Sequence, residues 1–208
     1  MFSIIQAAGW PIWPLIACSI LALAIVIDRF VSLKANKVAP PQLLDEVLGV
    51  TRTSVPAPDV VSQLEQNSAL GEVLASGLRA LNTDPQCSEE DLRASMESTG
   101  RTVAHRLEQR LSALATIASA APLMGLFGTV VGMIEIFGSQ APGGATGGNP
   151  AQLAHGISIA LYNTAFGLIV AIPSLIFWRY FRGQVDAYLL TLELSAERLA
   201  RHLKALRK

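Results

Sequence analysis

The chain has 208 residues, 51% of them hydrophobic and only 15% charged, with a positive mean hydropathy, a balance too apolar for an ordinary soluble domain. Sixteen Lys and Arg offset sixteen Asp and Glu, so the formal net charge is zero, which argues against a nucleic-acid partner held through phosphate contacts. The charge is unevenly spread. All sixteen basic residues fall in two blocks, Arg29–Arg110 and Arg179–Lys208, and the positive-inside rule predicts both on the cytoplasmic side of a membrane.

Residues 1–27 carry no charge and read as an outer N-terminus followed by a first membrane span. The apolar run from Trp10 to Ile27 has spanning length, and Trp10 and Trp13 suit an interfacial belt. A cleaved signal peptide needs a basic stretch before its apolar run, and none is present here. Residues 28–110 read as a cytoplasmic helical domain. Pro40, Pro41, Pro56 and Pro58 punctuate its first half, and Ser62–Leu81 is expected to form one amphipathic helix. Ser88-Glu-Glu-Asp91 reads as a helix start, with Ser88 capping free amides and the acids at the positive end of the helix dipole.

From Ser88 no proline interrupts the pattern until Pro122, and the chain is uncharged between Arg110 and Glu135. One long helix is therefore expected, cytoplasmic in its first half and spanning the membrane over 111–137, with a bend at Pro122. Residues 138–153 form an uncharged, glycine-rich outer loop. It lacks the Lys-Ser/Thr ending of a nucleotide-binding loop. A third span over 154–180 is uncharged from Gly156 to Trp178, and 181–208 continues as a cytoplasmic amphipathic helix. The fold class is thus all-α, an integral membrane protein of three transmembrane helices, the second and third extending into the cytoplasm. Cys18 and Cys87 fall in a span and in the cytoplasmic segment and are not expected to pair.

The second and third spans are rich in small and polar residues. Gly125, Gly128 and Gly132 recur along the second span, and Gly128 and Gly132 make a small-xxx-small pair that allows close approach of another helix, here expected to belong to a neighbouring copy. Gly156 and Gly167 of the third span are counted with them as packing positions. Ser158, Tyr162, Asn163 and Thr164 lie in the third span and Thr129 in the second, where polar groups face other helices or a wet cavity. Glu135 returns to the glycine face and is expected at the outer water boundary. His105, His155 and His202 are dispersed, with no metal-ligand spacing, and no nucleophile motif is present. No catalytic residue, metal or cofactor is expected.

The paired patterns Ala121-Pro-Leu-Met-Gly-Leu-Phe-Gly-Thr-Val-Val-Gly132 and Gly156-Ile-Ser-Ile-Ala-Leu-Tyr-Asn-Thr-Ala-Phe-Gly-Leu168 resemble the signatures of the MotA/TolQ/ExbB proton-channel family, closest to its ExbB and TolQ branch. The resemblance implies a subunit of a motor in the bacterial inner membrane. Five copies would ring the single-span helices of an ExbD- or TolR-like partner, and ion flow would drive a TonB- or TolA-like protein that reaches the outer membrane. The family's pore threonines fall on Thr129 and Thr164, facing an aspartate of the partner helix. Asn163, Tyr162, Ser158 and Glu135 complete the expected ion pathway. One departure stands out. Where ExbB and TolQ proteins usually carry Glu, five residues before the threonine, this chain has Ile159. Sodium as the coupling ion, a Tol-type motor and a non-conducting structural ring are the alternatives to a proton-driven TonB-type motor.

Overall fold

The computed structural model describes residues 10–52, 55–138 and 150–206, and every regular element among them is a helix. In chain order these are α1 (Ile12–Ser32), α2 (Ala35–Val38), α3 (Leu43–Thr51), α4 (Pro58–Asn67), α5 (Ala69–Thr83), α6 (Glu89–Gly138) and α7 (Pro150–Leu206). Three helices, α1, α6 and α7, are long and apolar enough to cross a membrane. The all-helical, three-span class expected from the sequence therefore holds, with α6 and α7 running 50 and 57 residues. Most of the expected glycine-rich loop, residues 139–149, lies outside the described residues. The chain divides into two compact units, one made of the residues up to Ile27 with Leu111–Arg179, the other of Asp28–Arg110 with Tyr180–Lys208.

In the first unit the outward faces are apolar. Ile20, Leu23, Leu126, Val130, Ile134, Ile169, Ile172 and Ile176 are all largely exposed, an arrangement stable only against lipid or further membrane helices. Inside, Leu15 of α1 meets Ala121 of α6 and Ala171 of α7, with Met124, Phe166 and Val170 packed around them. Trp10 closes on Phe127 edge to face, with ring centroids 6.0 Å apart, a favourable aromatic geometry. Pro122 and Pro173 both lie within continuous helix.

The second unit has its own core. Leu70, Val73, Leu74, Leu78 and Leu81 of α5 recur at helical spacing and are buried against Leu92, Met96 and Val103 of α6 and Leu192, Leu199 and Leu203 of α7. Each fully buried Leu of this kind contributes about 1.5–3 kcal/mol, so this interior, rather than surface charge, holds the unit together. The single helix expected over Ser62–Leu81 is two. Ser68 adopts an extended conformation (φ −161°, ψ 166°), and its hydroxyl accepts the Gly71 amide at 3.0 Å. A serine that caps the following turn cannot also continue the preceding one. The start of α6 follows the sequence reading. Ser88 Oγ accepts the Asp91 amide at 3.1 Å, while Asp91 Oδ2 accepts the Ser88 amide at 3.0 Å, a reciprocal cap.

At the end of α1, Arg29 is 5% exposed. A buried guanidinium needs partners. It donates to Asp28 Oδ2 at 3.0 Å and to the Leu107 carbonyl at 3.2 Å, and Arg110 holds the same Asp28 at 2.6 Å. Tyr188 donates its hydroxyl to the Leu33 carbonyl at 2.9 Å. Ion pairs between α6 and α7 fix their register on the surface: Arg182 with Glu108 (3.0 Å), Arg93 with Glu197 (2.9 Å) and Lys204 with Glu89 (2.6 Å). Their basic partners are exposed and their acidic partners half-buried, and each pair is individually weak.

Candidate functional site

The second and third spans meet along a line of small residues. In α6 these are Ala118, Ala121, Gly125, Gly128 and Gly132, at steps of three and four. In α7 they are Gly156, Ala160, Asn163, Gly167 and Ala171. The contacts pair them antiparallel. A Cβ added to Gly167 would stand 2.6 Å from the Ala121 carbonyl oxygen, and one added to Gly125 would stand 2.7 Å from the Asn163 carbonyl oxygen and 3.0 Å from Thr164 Cα. At Gly128 it would meet Asn163 Cβ at 2.8 Å, and at Gly132 Ala160 Cβ at 3.2 Å. No side chain fits at Gly125 or Gly167, because what stands opposite is backbone. The glycine face expected to join neighbouring copies is therefore occupied within the chain, by α7. Nothing drives helices together in lipid except packing and polar contacts, so close backbone approach is how this pair adheres.

Asn163 is part of this seam and only 2% exposed. Expected in the ion pathway, it is packed in the interior beside Gly128. Ser174, also buried, lies on the same line and donates to the Val170 carbonyl at 2.7 Å. Gly156 faces Ile136, whose Cγ1 would be 2.7 Å from an added Cβ. Ala121 and Ala160 were not singled out from the sequence. The signal for them was present as an extension of the small-residue spacing, three or four positions from each glycine.

The two threonines share one side of the pair. Successive residues turn about 100°, so in α6 Phe127 and Thr129 lie on opposite sides of Gly128. Phe127 meets Trp10 just before α1, which leaves Thr129 on the side away from it. Gly125 lies on the Thr129 side of the seam, and it is Thr164 of α7 whose backbone meets Gly125. Thr129 and Thr164 thus turn the same way, both half-buried, about 6 Å apart along the helix direction, since Thr129 is four residues beyond Gly125. The Thr129 hydroxyl donates to the Leu126 carbonyl at 2.7 Å. With its proton committed to the helix, its oxygen faces outward as an acceptor, suited to water or a cation.

Of the other residues expected to line the ion pathway, Tyr162 and Ser158 are not on the side shared by the two threonines, and Glu135 is near the helix end. Tyr162 and Ser158 are one turn apart on α7, and both are exposed. They stand on the other side of Asn163 from Thr164 by the same helical step. Ser158 donates to the Ala154 carbonyl at 2.9 Å. Glu135 is exposed, three residues before the end of α6. Ile159 lies within α7, and its side chain is outside the described residues, as is that of His155. Among the described residues, no group of three or more His, Cys, Asp or Glu side chains is gathered at metal-binding spacing.

The sequence comparisons identify the family. The model of the MotA/TolQ/ExbB proton channel family matches residues 65–194, a stretch that contains both signature spans. The chain is 32% identical over 178 residues to the ExbB-like 3 biopolymer transport protein of Synechocystis sp., covering 86% of this chain and 83% of the relative. It is 30% identical over 171 residues to the biopolymer transport protein exbB1 of Vibrio cholerae, covering 81% and 73%. To the Tol-Pal system protein TolQ of Haemophilus influenzae it is 34% identical over 130 residues, covering 62% and 56%. The chain is a multi-pass membrane protein that belongs to the MotA/TolQ/ExbB proton channel family, a family of channels and not of enzymes.

Proposed function

We propose that this chain is the ion-conducting subunit of an inner-membrane motor, working as a ring of copies, five by family resemblance, around the single-span helices of an ExbD- or TolR-like partner. The observation that carries the reading is the pair Thr129 and Thr164, turned to one common side of two tightly packed spans in otherwise apolar surroundings. Hydroxyls on such a face are costly against lipid alone and useful beside a carboxylate that must gain and lose a proton. A carboxylate in hydrocarbon has its pKa raised by desolvation. Hydroxyl oxygens and the water they order bring it back into a range where it loads and unloads. With Ile159 at the position of the family's glutamate, the partner's intramembrane aspartate is the obligatory proton carrier in this reading, and this subunit supplies a polar sleeve.

Coupling to a TonB-like protein, and through it to transport at the outer membrane, is the reading favoured by the similarity to several proteins named for ExbB and biopolymer transport. The test is reconstitution. The chain is co-purified with its candidate single-span partner, and ion flux is followed in liposomes. Proton flux that disappears when the partner's intramembrane Asp is changed to Asn supports the reading. A chain that conducts equally well alone, or a complex that conducts nothing, defeats it.

The orientation proposed with it puts residues 28–110 and 181–208 in the cytoplasm and 138–153 outside. It rests on the lack of Lys and Arg from residue 111 to 178. A thiol reagent that does not cross membranes is expected to label Gly144→Cys in intact spheroplasts and to spare Thr83→Cys, both in a Cys18→Ser, Cys87→Ala background. Labelling of Thr83→Cys instead would reverse the topology.

A further inference from the structure

Beyond Arg182, α7 carries a stripe that nothing among the described residues covers. Gly183, Ala187, Leu190 and Leu194 are all exposed, Leu190 by 56% and Leu194 by 52%. They are separated by four, three and four residues, the heptad spacing of a helix seam. This stretch lies among Arg182, Asp186, Glu193 and Glu197, so it stands in water, where an apolar stripe is left open only for a partner. Gly183 also has no neighbouring atom within 4 Å of an added Cβ. A helix-interior glycine with nothing beside it is less stable than alanine, a cost that close approach of a second helix would offset.

The charges beside the stripe identify that partner. Among the described residues of α6 and α7 in this unit, the arginines have an acidic partner except Arg198, and the acids have a basic one except Glu90, Glu193 and Asp91, which is bonded to Ser88. At about 100° per residue, Glu193 and Arg198 fall on opposite flanks of the Leu190–Leu194 line. The stripe therefore has one negative and one positive edge, both unsatisfied. Copies in one membrane stand the same way up, and in a closed ring each copy presents one edge to one neighbour and the opposite edge to the other.

We propose that the stripe Gly183, Ala187, Leu190 and Leu194 is the aqueous seam between copies of this chain, closed by Glu193 of one copy against Arg198 of the next. The inference rests on the ring assembly proposed above and adds the surface that joins the copies outside the membrane. It also relieves the glycines of the second span, which are occupied within the chain, of that task.

The full chain, co-expressed with its single-span partner and purified in detergent, provides the test. In a Cys18→Ser, Cys87→Ala background, the combination Glu193→Cys with Arg198→Cys is oxidised and run on a denaturing gel. A shift from the monomer band to a ladder of cross-linked multimers is expected from the double variant, and neither single variant gives it. As an independent reading, Glu193→Arg and Arg198→Glu should each reduce the recovered oligomer, and the two together should restore it. An oligomer of unchanged size that yields no ladder and ignores both reversals overturns the seam while leaving the ring standing. A wild-type chain that runs as a monomer removes the ring and the seam together.

Discussion

Thr164→Val in the reconstituted complex is expected to cut partner-dependent ion flux by about tenfold or more, the rate equivalent of the ~1.5–3 kcal/mol of a hydrogen bond to a charged group. Valine nearly reproduces the shape of threonine, so the complex should keep its size. What is lost is the oxygen on the side shared with Thr129. The same substitution at Thr129 should act in the same direction, because both residues line one side of the span pair. Asn163→Ala is expected to behave differently from either. Asn163 is 2% exposed and packed on Gly128, so its truncation should lower the thermal stability of the complex more than the flux per surviving complex. Glu135→Gln should change flux least, since Glu135 is exposed near the end of α6. Flux measured per assembled complex separates these cases. Full flux through Thr164→Val, or complete loss from Glu135→Gln alone, would reject the polar-sleeve mechanism.

The second large effect should come from single methyl groups in the seam. Gly167→Ala would place a carbon 2.6 Å from the Ala121 carbonyl oxygen, and Gly125→Ala one 2.7 Å from the Asn163 carbonyl oxygen. Neither oxygen can rotate away as a side chain can, so α6 and α7 must separate along their contact. Overpacking of this kind costs about 1–3 kcal/mol even where side chains can adjust, and here the upper end or beyond is expected. Gly49→Ala is the matched control: Gly49 sits in α3 with nothing within 4 Å of an added Cβ, so the change should stabilise by about 0.4–1 kcal/mol or be neutral. Thermal unfolding in detergent reports the difference. Equal melting temperatures for Gly167→Ala, Gly49→Ala and the unaltered chain would show that the seam tolerates expansion. Because the seam is internal, Gly125→Ala should also move Thr164 and so reduce flux in whatever complex survives.

Much of this protein is written locally. The uncharged run to Ile27, the basic residues confined to two blocks and the uncharged stretch from Gly156 to Trp178 determine three spans, because the cost of placing a charge in hydrocarbon depends on the residue itself and hardly on its neighbours. The start of α6 at Ser88-Glu-Glu-Asp91 was legible for a similar reason, since a cap is made by residues three apart in the chain. The two signature motifs also carried the family, as runs of neighbouring residues do.

What the sequence left open is which face meets which. Glycines at steps of three and four announce a close contact without saying whose. Only the packing of α7 on α6 gave Gly125, Gly128 and Gly132 to an internal seam, where they meet Asn163, Thr164 and Ala160. The same packing buried Asn163 beside Gly128, left Tyr162 and Ser158 exposed on the other side of it, and put Thr129 and Thr164, 35 residues apart in sequence, on one side. Ser68 broke an expected helix because its hydroxyl found the Gly71 amide, a contest between two local structures whose energies differ by about as much as one cap is worth. Hydropathy and charge are properties of single residues and survive in one dimension. Sidedness is set when two helices choose their contact, and that choice is made by backbone approach in three.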